Sequence, residues 1–154
     1  EYEDDASNVV SVYVEEEGDF QYQVDNDIPQ GNGVFNDLFP GEHTITVSDI
    51  NGCGFDTRDI VVVGFPKFFT PNGDNVNDTW KVDGLSALDN PVVTIYDRYG
   101  KLLYQIINDS SGWNGTLNGF LLPESDYWFK LSYTNSLGEN TSASFINNHF
   151  TLKR

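Results

Sequence analysis

The sequence predicts an all-β protein built from two successive β-sandwich modules, and three observations lead to this prediction. Short segments alternate apolar and polar residues with a period of two, which is the pattern of half-buried strands. Clusters of Gly, Asn, Asp and Pro separate these segments at intervals of roughly 8–12 residues. No segment of useful length carries the 3.6-residue period of an amphipathic helix. A chain of 154 residues provides one ordinary domain or two small ones.

Charge is distributed unevenly along the chain, and its break marks the predicted boundary between the modules. Residues 1–64 contain 15 acidic residues and one basic residue, a net charge of −14. Residues 65–154 contain 9 acidic and 7 basic residues, a net charge of −2. The change falls at Gly64-Phe65-Pro66, and Gly- and Pro-containing segments are typical of domain boundaries. We therefore expect a first module over residues 1–64 and a second over residues 65–154.

The total charge of −16 excludes two classes of partner. Nucleic acid and anionic lipid are themselves negative, so an acidic surface repels both. No apolar run approaches the ~20 residues that cross a bilayer as a helix, so no transmembrane segment is predicted. The chain also lacks Met and a recognisable signal peptide, and we therefore expect a mature product or a fragment of a longer protein.

Four segments of the first module have the pattern of strands. Val9–Val14 is rich in β-branched residues, Phe20–Val24 and His43–Val47 alternate, and Ile60–Val63 is a short apolar run. With the remaining turn-bounded segments they indicate about five strands, fewer than the roughly seven of an immunoglobulin-like sandwich. We therefore expect an Ig-like module that is truncated. The alternative is a small five-stranded domain with the acidic tail Glu1–Asp5.

Cys53 is the only cysteine, so it cannot form a disulfide within this chain. It is either a buried free thiol or the partner of a cysteine upstream of residue 1. The segment from Leu38-Phe39-Pro40-Gly41 to Asn51-Gly52-Cys53 resembles the end of the immunoglobulin-like repeats of very large bacterial surface adhesins. This resemblance covers roughly residues 20–63, and it implies an upstream partner for the cysteine, because such repeats often contain one.

The second module contains a series of aromatic and turn motifs. An apolar approach, Phe65–Phe69, leads into the polar loop Asn72–Asp78, which Trp80 follows. The run Val92–Tyr104 divides into two strands at a turn that contains Gly100. The remaining motifs are Gly112-Trp113-Asn114-Gly115, the segment Leu122–Phe129 and the basic C-terminal segment His149–Arg154.

Together these motifs closely resemble the type B C-terminal sorting domain of the type IX secretion system, also called the gliding-motility-associated C-terminal domain. They occur in the family's order and spacing over nearly all of residues 65–154. Two positions depart from the family pattern. Asn114 stands where Asp commonly follows the Trp, and Asn148 stands where Gly commonly precedes His149. We expect the second departure to affect a local turn and not the fold.

The resemblance implies a C-terminal address that is read in the periplasm and directs export across the outer membrane. Type B domains work with the type IX translocon and with an outer-membrane β-barrel of the PorP/SprF family, which would hold this protein at the cell surface. The adhesin-like repeat directly upstream makes a large SprB-like adhesin for gliding motility the expected parent. The activity of the cargo upstream of residue 1 is left open.

Two sets of residues are candidates for roles in the second module. Large aromatic residues, each burying on the order of 150–250 Å², are expected to form its core: Trp80, Trp113, Tyr127, Trp128 and Phe150. The candidate partner-binding and sorting residues are those of the tail: His149, Phe150, Thr151, Leu152, Lys153 and Arg154. The tail ends an alternating strand with two cations, and unpaired backbone groups there could extend a partner's sheet. The alternative is an ordinary last strand with a solvated end.

The loop Asn72–Asp78 is the candidate metal site, with calcium as the cofactor. Oxygen-bearing side chains at Asn72, Asp74 and Asp78 on a glycine-containing loop imitate the ligand spacing of a calcium loop. Val76, however, offers only a carbonyl, and the distal bidentate Glu of an EF-hand has no counterpart. The alternative is a turn in which Asx side chains satisfy the loop's own backbone amides.

Catalysis finds little support in the sequence, and we predict that the protein is not an enzyme. His43 and His149 lie one in each module, and no pattern places either beside an activated Ser or Cys. The run Glu15–Glu17 imitates the carboxylate pair of a glycosidase, but like charges in loops are usually solvated. No phosphate loop, dinucleotide fingerprint or zinc spacing occurs.

The rival function is a carbohydrate-binding β-sandwich module of a secreted enzyme, in which exposed Trp and Tyr rings stack on sugars. The placement of the aromatic residues distinguishes the two functions. Sugar binding requires two or three coplanar rings that are exposed on one face of the sandwich. The sorting function instead predicts that most of these rings are buried.

Overall fold

The structure is a computed structural model that describes residues 9–52, 54–108, 111–143 and 148–154. In this part of the chain it contains thirteen strands and one 3₁₀ turn, Leu85–Ala87, which confirms the all-β prediction. The strands are β1 (Val9–Ser11), β2 (Phe20–Val24), β3 (Val34–Asn36), β4 (Gly41–Asp49), β5 (Phe55–Val62), β6 (Phe68–Phe69), β7 (Asp89–Tyr96), β8 (Leu102–Ile107), β9 (Thr116–Leu117), β10 (Phe120–Leu121), β11 (Ser125–Thr134), β12 (Asn140–Ser142) and β13 (His149–Leu152). The acidic tail Glu1–Asp5 and Cys53 lie outside the described residues. None of the helical segments described is long and apolar enough to cross a membrane.

The first module consists of two small antiparallel sheets. β1 pairs with β3, while the other sheet has the order β2-β4-β5. The predicted strand Phe20–Val24 coincides with β2, and His43–Val47 lies inside β4. Between the sheets a small core contains three buried residues, Val24, Phe35 and Ile45. The sandwich-like arrangement agrees with the predicted fold class.

Part of this module was not predicted, because its strands are short or exposed. β3 has only three residues, and β5 begins at Phe55, well before the predicted run at Ile60. Residues 55–59 are all exposed, since β5 pairs only with β4 among the described strands. An edge strand with both faces open to water lacks the period-two burial that reveals strands in sequences. The predicted strand Val9–Val14 is also shorter than expected and ends at Ser11.

The second module is built on a six-stranded sheet with the order β6-β13-β11-β7-β8, in which β12 also pairs with β11. β6 runs parallel to β13, and the other pairs are antiparallel. β7 and β8 are the two strands predicted in the run Val92–Tyr104. Gly100 in their turn has a φ of 79°, and the Asp97 carboxylate accepts hydrogen bonds from the backbone N–H groups of Tyr99 and Lys101. The predicted turn is therefore confirmed.

A large aromatic core covers the inner face of this sheet. Trp80 stacks on Phe150, with ring centroids 3.8 Å apart and planes 11° from parallel. Trp113 meets Tyr127 edge to face, with a centroid distance of 5.2 Å. Both indole N–H groups find backbone acceptors: Trp80 Nε1 donates to the carbonyl of Pro66 and Trp113 Nε1 to that of Thr116. Four of the five predicted core aromatics are thus buried and satisfied.

Trp128 is the exception, and the prediction that it belongs to the core is wrong. Successive side chains of a strand point to opposite faces, and Tyr127 and Phe129 point into the core. Trp128 therefore lies on the outer face of the sheet, half-buried, with its ring centroid 6.2 Å from that of His149. Three consecutive aromatic residues do not reveal from composition alone which of them face inward.

The motif Gly112-Trp113-Asn114-Gly115 holds the two buried tryptophans together. Trp80 and Trp113 exchange two backbone hydrogen bonds of 2.8 Å. Gly112 has a φ of 83°, and a Cβ there would lie 2.7 Å from the Trp80 carbonyl oxygen. Gly115 has a φ of 77°, and a Cβ there would lie 2.5 Å from Leu152 Cδ1. Left-handed backbone and lack of space both require glycine at these positions.

The two hydrophobic cores use different parts of the chain, and Val63, which packs in the second core, lies just before the predicted boundary. Residues up to Ile60 form the first core, and residues from Val63 onward pack in the second. At the junction Gly64 and Asp83 exchange two backbone hydrogen bonds of 3.1 and 2.7 Å. A Cβ at Gly64 would lie 2.5 Å from Pro40 Cγ. The junction is thus a packed contact and not an extended linker.

Candidate functional site

The C-terminal strand β13 is an interior strand of the large sheet. β11 pairs with one of its edges and β6 with the other. The backbone N–H of Thr151 donates to the Lys67 carbonyl, and that of Lys153 donates to the Phe69 carbonyl. The prediction that this strand offers unpaired backbone groups to a partner's sheet is therefore wrong. Of the two alternatives, the structure shows a last strand built into its own sheet.

The tail residues divide between core and surface. Phe150 and Leu152 are fully buried, so neither can contact a partner in the folded module. His149, Thr151 and Lys153 alternate with them and face away from the core. Thr151 donates a hydrogen bond of 2.7 Å to the Asp126 carboxylate. The role of the surface residues in sorting stays a prediction, and it now concerns their side chains alone.

Lys153 and Phe68 form an exposed pair beside the end of β13. The Lys153 ammonium lies 4.4 Å from the centroid of the Phe68 ring, within the range of a cation–π interaction. Phe68 keeps 40 % of its surface exposed although it is a large apolar residue. A cation held over an exposed ring is a feature that a partner can recognise.

Arg154 binds the base of the hairpin formed by β9 and β10. Its guanidinium donates to the carbonyl oxygens of Leu122 and Gly115, which face each other at the base of the hairpin. Its backbone N–H also donates to the Glu124 carboxylate at 3.2 Å. The last residue is thus committed to contacts within the module. Sequence reasoning missed this role, because nothing in a terminal basic pair indicates which carbonyl groups lie near it.

The hairpin that Arg154 holds presents two exposed apolar residues. Phe120 and Leu121 are 78 % and 70 % exposed. Asn118 and Gly119, both with positive φ, form the tight turn between the two short strands. The strands β9 and β10 are only two residues each. Such a short hairpin depends on contacts at its base.

Asn148, one of the two departures from the family pattern, is used by this fold. Its side-chain amide donates to the Phe129 carbonyl at 3.1 Å, and its own carbonyl accepts from the Phe129 N–H at 2.9 Å. The residue thus joins the entry of β13 to the middle of β11. Asn114, the other departure, accepts a hydrogen bond of 2.8 Å from the Thr116 hydroxyl and so supports its own turn.

In the loop Asn72–Asp78 the carboxylates bind the loop's own backbone. The two oxygens of Asp78 accept hydrogen bonds of 2.7 Å from the N–H groups of Gly73 and Asn75. Asp74 accepts from the Val76 N–H at 2.8 Å, and Asn72 accepts from the Asp74 N–H at 3.0 Å. The bond from Gly73, with that from Asn75, lowers the pKa of Asp78 below its usual value.

These hydrogen bonds account for the spacing of Asn72, Asp74 and Asp78 without a metal. Each carboxylate oxygen of Asp78 is directed at an amide of its own loop. Across the described part of the chain no group of three or more His, Cys, Asp or Glu side chains is placed to hold a metal ion. The loop geometry therefore fits the Asx-turn alternative, and calcium binding stays a prediction.

The two histidines belong to different modules and make different contacts. His43 Nδ1 is 2.7 Å from Asp25 Oδ2, and its Nε2 is 2.7 Å from the Phe39 carbonyl oxygen. Both ring nitrogens therefore face acceptors, and the backbone carbonyl, followed by the carboxylate, raises the pKa of His43. His149 lies on β13 of the other module. The sequence did not predict the His43–Asp25 pair, whose residues are distant along the chain.

Comparisons with known proteins address the second module. The profile of the CHU_C Type IX secretion signal domain matches residues 63–147, more than half of the chain. No curated protein matches the sequence significantly. Among solved structures, the crystal structure of dimeric latent PorU from Porphyromonas gingivalis is similar with a TM-score of 0.37 and 18 % identity, over 94 % of this chain and 17 % of PorU.

The PorU similarity is too low to establish a shared fold, and the chain spans less than a fifth of PorU's length. The profile match, in contrast, covers the segment that contains Trp80, the Gly112–Gly115 motif and the β11 aromatics. It agrees with the motifs that predict a sorting domain and with the all-β fold of this segment. The chain belongs to the CHU_C family of type IX secretion signal domains.

Proposed function

We propose that this chain is the non-enzymatic C-terminal region of a surface protein, and that its second module is the address the type IX secretion system reads in folded form. The observation that carries the proposal is the family match over residues 63–147. The closed aromatic core supports recognition of a folded object, since the C-terminal strand is an interior part of it.

We further propose an outer-membrane β-barrel of the PorP/SprF family as the partner that retains the protein at the cell surface. The type B motifs of the second module support this partner. The adhesin-like segment 20–63 supports a large SprB-like adhesin for gliding motility as the parent.

Aromatic placement favours sorting over the alternative of carbohydrate binding. Trp80, Trp113, Tyr127 and Phe150 are buried in the core and unavailable to a sugar. Trp128 is half-buried, and the ring beside it, His149, is tilted 35° from its plane. A flat platform of two or three exposed rings is not formed by these residues.

Export of a reporter tests the address. Residues 63–154, which include Val63 because it packs in the second core, are fused to a periplasm-targeted reporter in a host that contains the matching barrel. We expect the reporter at the cell surface or in the medium. Deleting residues 151–154 is expected to trap it in the periplasm.

That deletion also removes Leu152 from the core, so a surface variant must separate contact from folding. Lys153→Glu reverses an exposed charge beside β13, and Lys101→Glu makes the same change in the β7–β8 turn. We expect the first to reduce export and the second to leave it unchanged, with circular dichroism confirming that both are folded. Undiminished export of the Lys153 variant and of the deletion would contradict the proposal.

A further inference from the structure

A groove of about 830 Å³ opens in the first module, outside the sorting domain. One wall is the segment that runs from Val10 to Glu17, and the floor is the inner face of the β2-β4-β5 sheet. Phe20, Ile45, Val47 and Ile60 contribute apolar side chains to this floor. The groove is therefore apolar at its base and open to solvent along its length.

The floor continues onto β5, whose groove-facing side is bare. In the β4–β5 register Arg58 lies opposite Ile45 and Asp56 lies opposite Val47, so these residues share the inner face of the sheet. Both Arg58 and Asp56 are nevertheless exposed.

The core under this groove is small for a β-sandwich. Among the described residues, four hydrophobic side chains of the first module are buried, whereas fourteen form the core of the second. Val47 and Ile60, on the floor of the groove, are packed against the small core but remain half-buried. A strand laid over them would bury apolar surface that the two existing sheets leave in contact with water.

The charge of the rim determines what can fill the groove. Glu15, Glu16 and Glu17 line one side, and Asp49 and Asp56 lie on the other. Arg58 is the single Lys or Arg of residues 9–64, and its guanidinium has no hydrogen bond or ion pair within the described part of the chain. An acidic rim over an apolar floor attracts a segment that is apolar on one side and basic on the other.

We propose that this groove binds an extended strand of another polypeptide, apolar at every second residue and with Lys or Arg between. The strand lies over the floor of the groove, directs its apolar side chains onto Ile45, Val47 and Ile60, and places its cations near Glu15–Glu17. Alternation supplies both faces from one extended segment. A second copy of this chain is disfavoured as the occupant, because its first module has the same acidic charge and the rims repel each other.

Three labelled peptides of eight residues, the length of β5, test the proposal on the full chain by fluorescence anisotropy. One alternates Val and Lys, one alternates Val and Glu, and one alternates Ser and Lys. We expect saturable one-site binding of the Val–Lys peptide, and at least about tenfold weaker binding of the other two. Equal binding of the Ser–Lys peptide would contradict the role of the apolar floor in binding. Equal binding of the Val–Glu peptide would contradict the role of the acidic rim.

Two exposed neighbours on β5 provide matched variants. Arg58→Gln removes the cation from the groove face, whereas Thr57→Glu changes the net charge equally on the opposite face, where Thr57 lies opposite Thr46. We expect the first to bind the Val–Lys peptide several-fold more tightly and the second to bind it as the unmodified chain does. The reverse order would place the peptide on the other face and contradict the proposal.

Hydrogen exchange locates the bound peptide independently of affinity. Amides of residues 10–17 are expected to gain protection, since the bound peptide covers this wall of the groove. Protection confined to the second module would overturn the proposal, as would a concentration-dependent dimer by sedimentation with the groove closed to peptide. Neither result would affect export of a reporter by residues 63–154, so the two proposals fail separately.

Discussion

His43 illustrates at the scale of one residue how this fold depends on pH. Its Nδ1 faces the Asp25 carboxylate and its Nε2 faces the Phe39 carbonyl. Two acceptors require two N–H donors, so the doubly protonated ring is the form that fits. Asp25 in turn accepts from the Thr44 N–H at 2.9 Å, and this bond, with that to His43, lowers the pKa of Asp25.

The pH dependence of stability follows from the sign of the His43 shift. The folded-state pKa lies above the unfolded value of 6.5, so its contribution is complete below about pH 6.5 and is lost as pH rises through the folded-state pKa. Urea unfolding of the full chain is expected to show this loss for the first module, and an NMR titration to show the raised pKa of the ring. His43→Gln is expected to flatten the dependence of stability on pH. Asp27→Asn, a change in the turn that contains Asp25, is expected to leave this dependence intact. A His43 pKa at or below 6.5 would contradict this interpretation.

Arg154 makes a second prediction at the residue scale. Arg154→Ala is expected to lower the free energy of unfolding by about 1 kcal/mol, since hydrogen bonds of a charged donor to Leu122 and Gly115 are lost at an exposed site. It is also expected to increase hydrogen exchange in the hairpin Thr116–Leu121. Arg154→Lys keeps the charge but cannot span both carbonyl groups, so it should resemble the alanine variant. If Arg154→Lys retained the full stability of the unmodified chain, the charge would matter and not the pair of hydrogen bonds to Leu122 and Gly115.

At the scale of the element, β13 is required for the core. Phe150 stacks on Trp80 and contacts the rings of four further core aromatics. Phe150→Ala is expected to cost about 3–5 kcal/mol, because a large cavity forms at a fully buried site. Trp128→Ala, on the outer face, is expected to cost about 1 kcal/mol. Chemical denaturation monitored by tryptophan fluorescence measures the first, and circular dichroism measures both. Equal losses would mean that the outer face is packed as closely as the inner one.

The loop Asn72–Asp78 provides a test that separates its two interpretations. Asp78→Asn weakens the acceptors for the Gly73 and Asn75 amides, so it is expected to lower Tm. If the Asx turn is the reason for these residues, the loss is the same with calcium or with a chelator present. Asp89→Asn, elsewhere on the surface, is expected to leave Tm unchanged. A rise in Tm on adding calcium, absent in the Asp78 variant, would instead establish the metal site.

The elements that could be predicted from sequence are those with one buried face. β2 and the β7–β8 pair show alternation because water contacts one side and core the other. β5 was predicted only in part, because its first residues are exposed on both faces. β3 was not predicted, because three residues carry too little of the alternating pattern. The size of Trp80 and Trp113 predicted that both are buried, but not that their backbones pair. The interior position of β13 depends on pairing with β6 and β11, which are distant in sequence.

At the scale of the whole molecule, the two modules differ in core size and in charge together. Among the described residues, the first has four buried hydrophobic residues and the second has fourteen. The net charge is −14 over residues 1–64 and −2 over residues 65–154. Self-repulsion weakens a compact acidic module, and a small core offers little to oppose it. The second module therefore contains the stable, nearly neutral surface that a partner can approach without long-range repulsion.

Binding to the proposed barrel partner is accordingly expected to depend on the second module. Lys153→Glu should slow association, and the effect should shrink with added salt because exposed charges are screened over ~8 Å at physiological ionic strength. Arg154 is left intact, since its loss would disturb the hairpin as well as the charge. Reversing Glu15–Glu17 to Lys should leave barrel binding unchanged while abolishing binding of the Val–Lys peptide to the first module. A pull-down with the barrel decides between the modules: if the Glu15–Glu17 variant loses the barrel and the Lys153 variant retains it, the partner is bound by the acidic module, and the second module provides export alone.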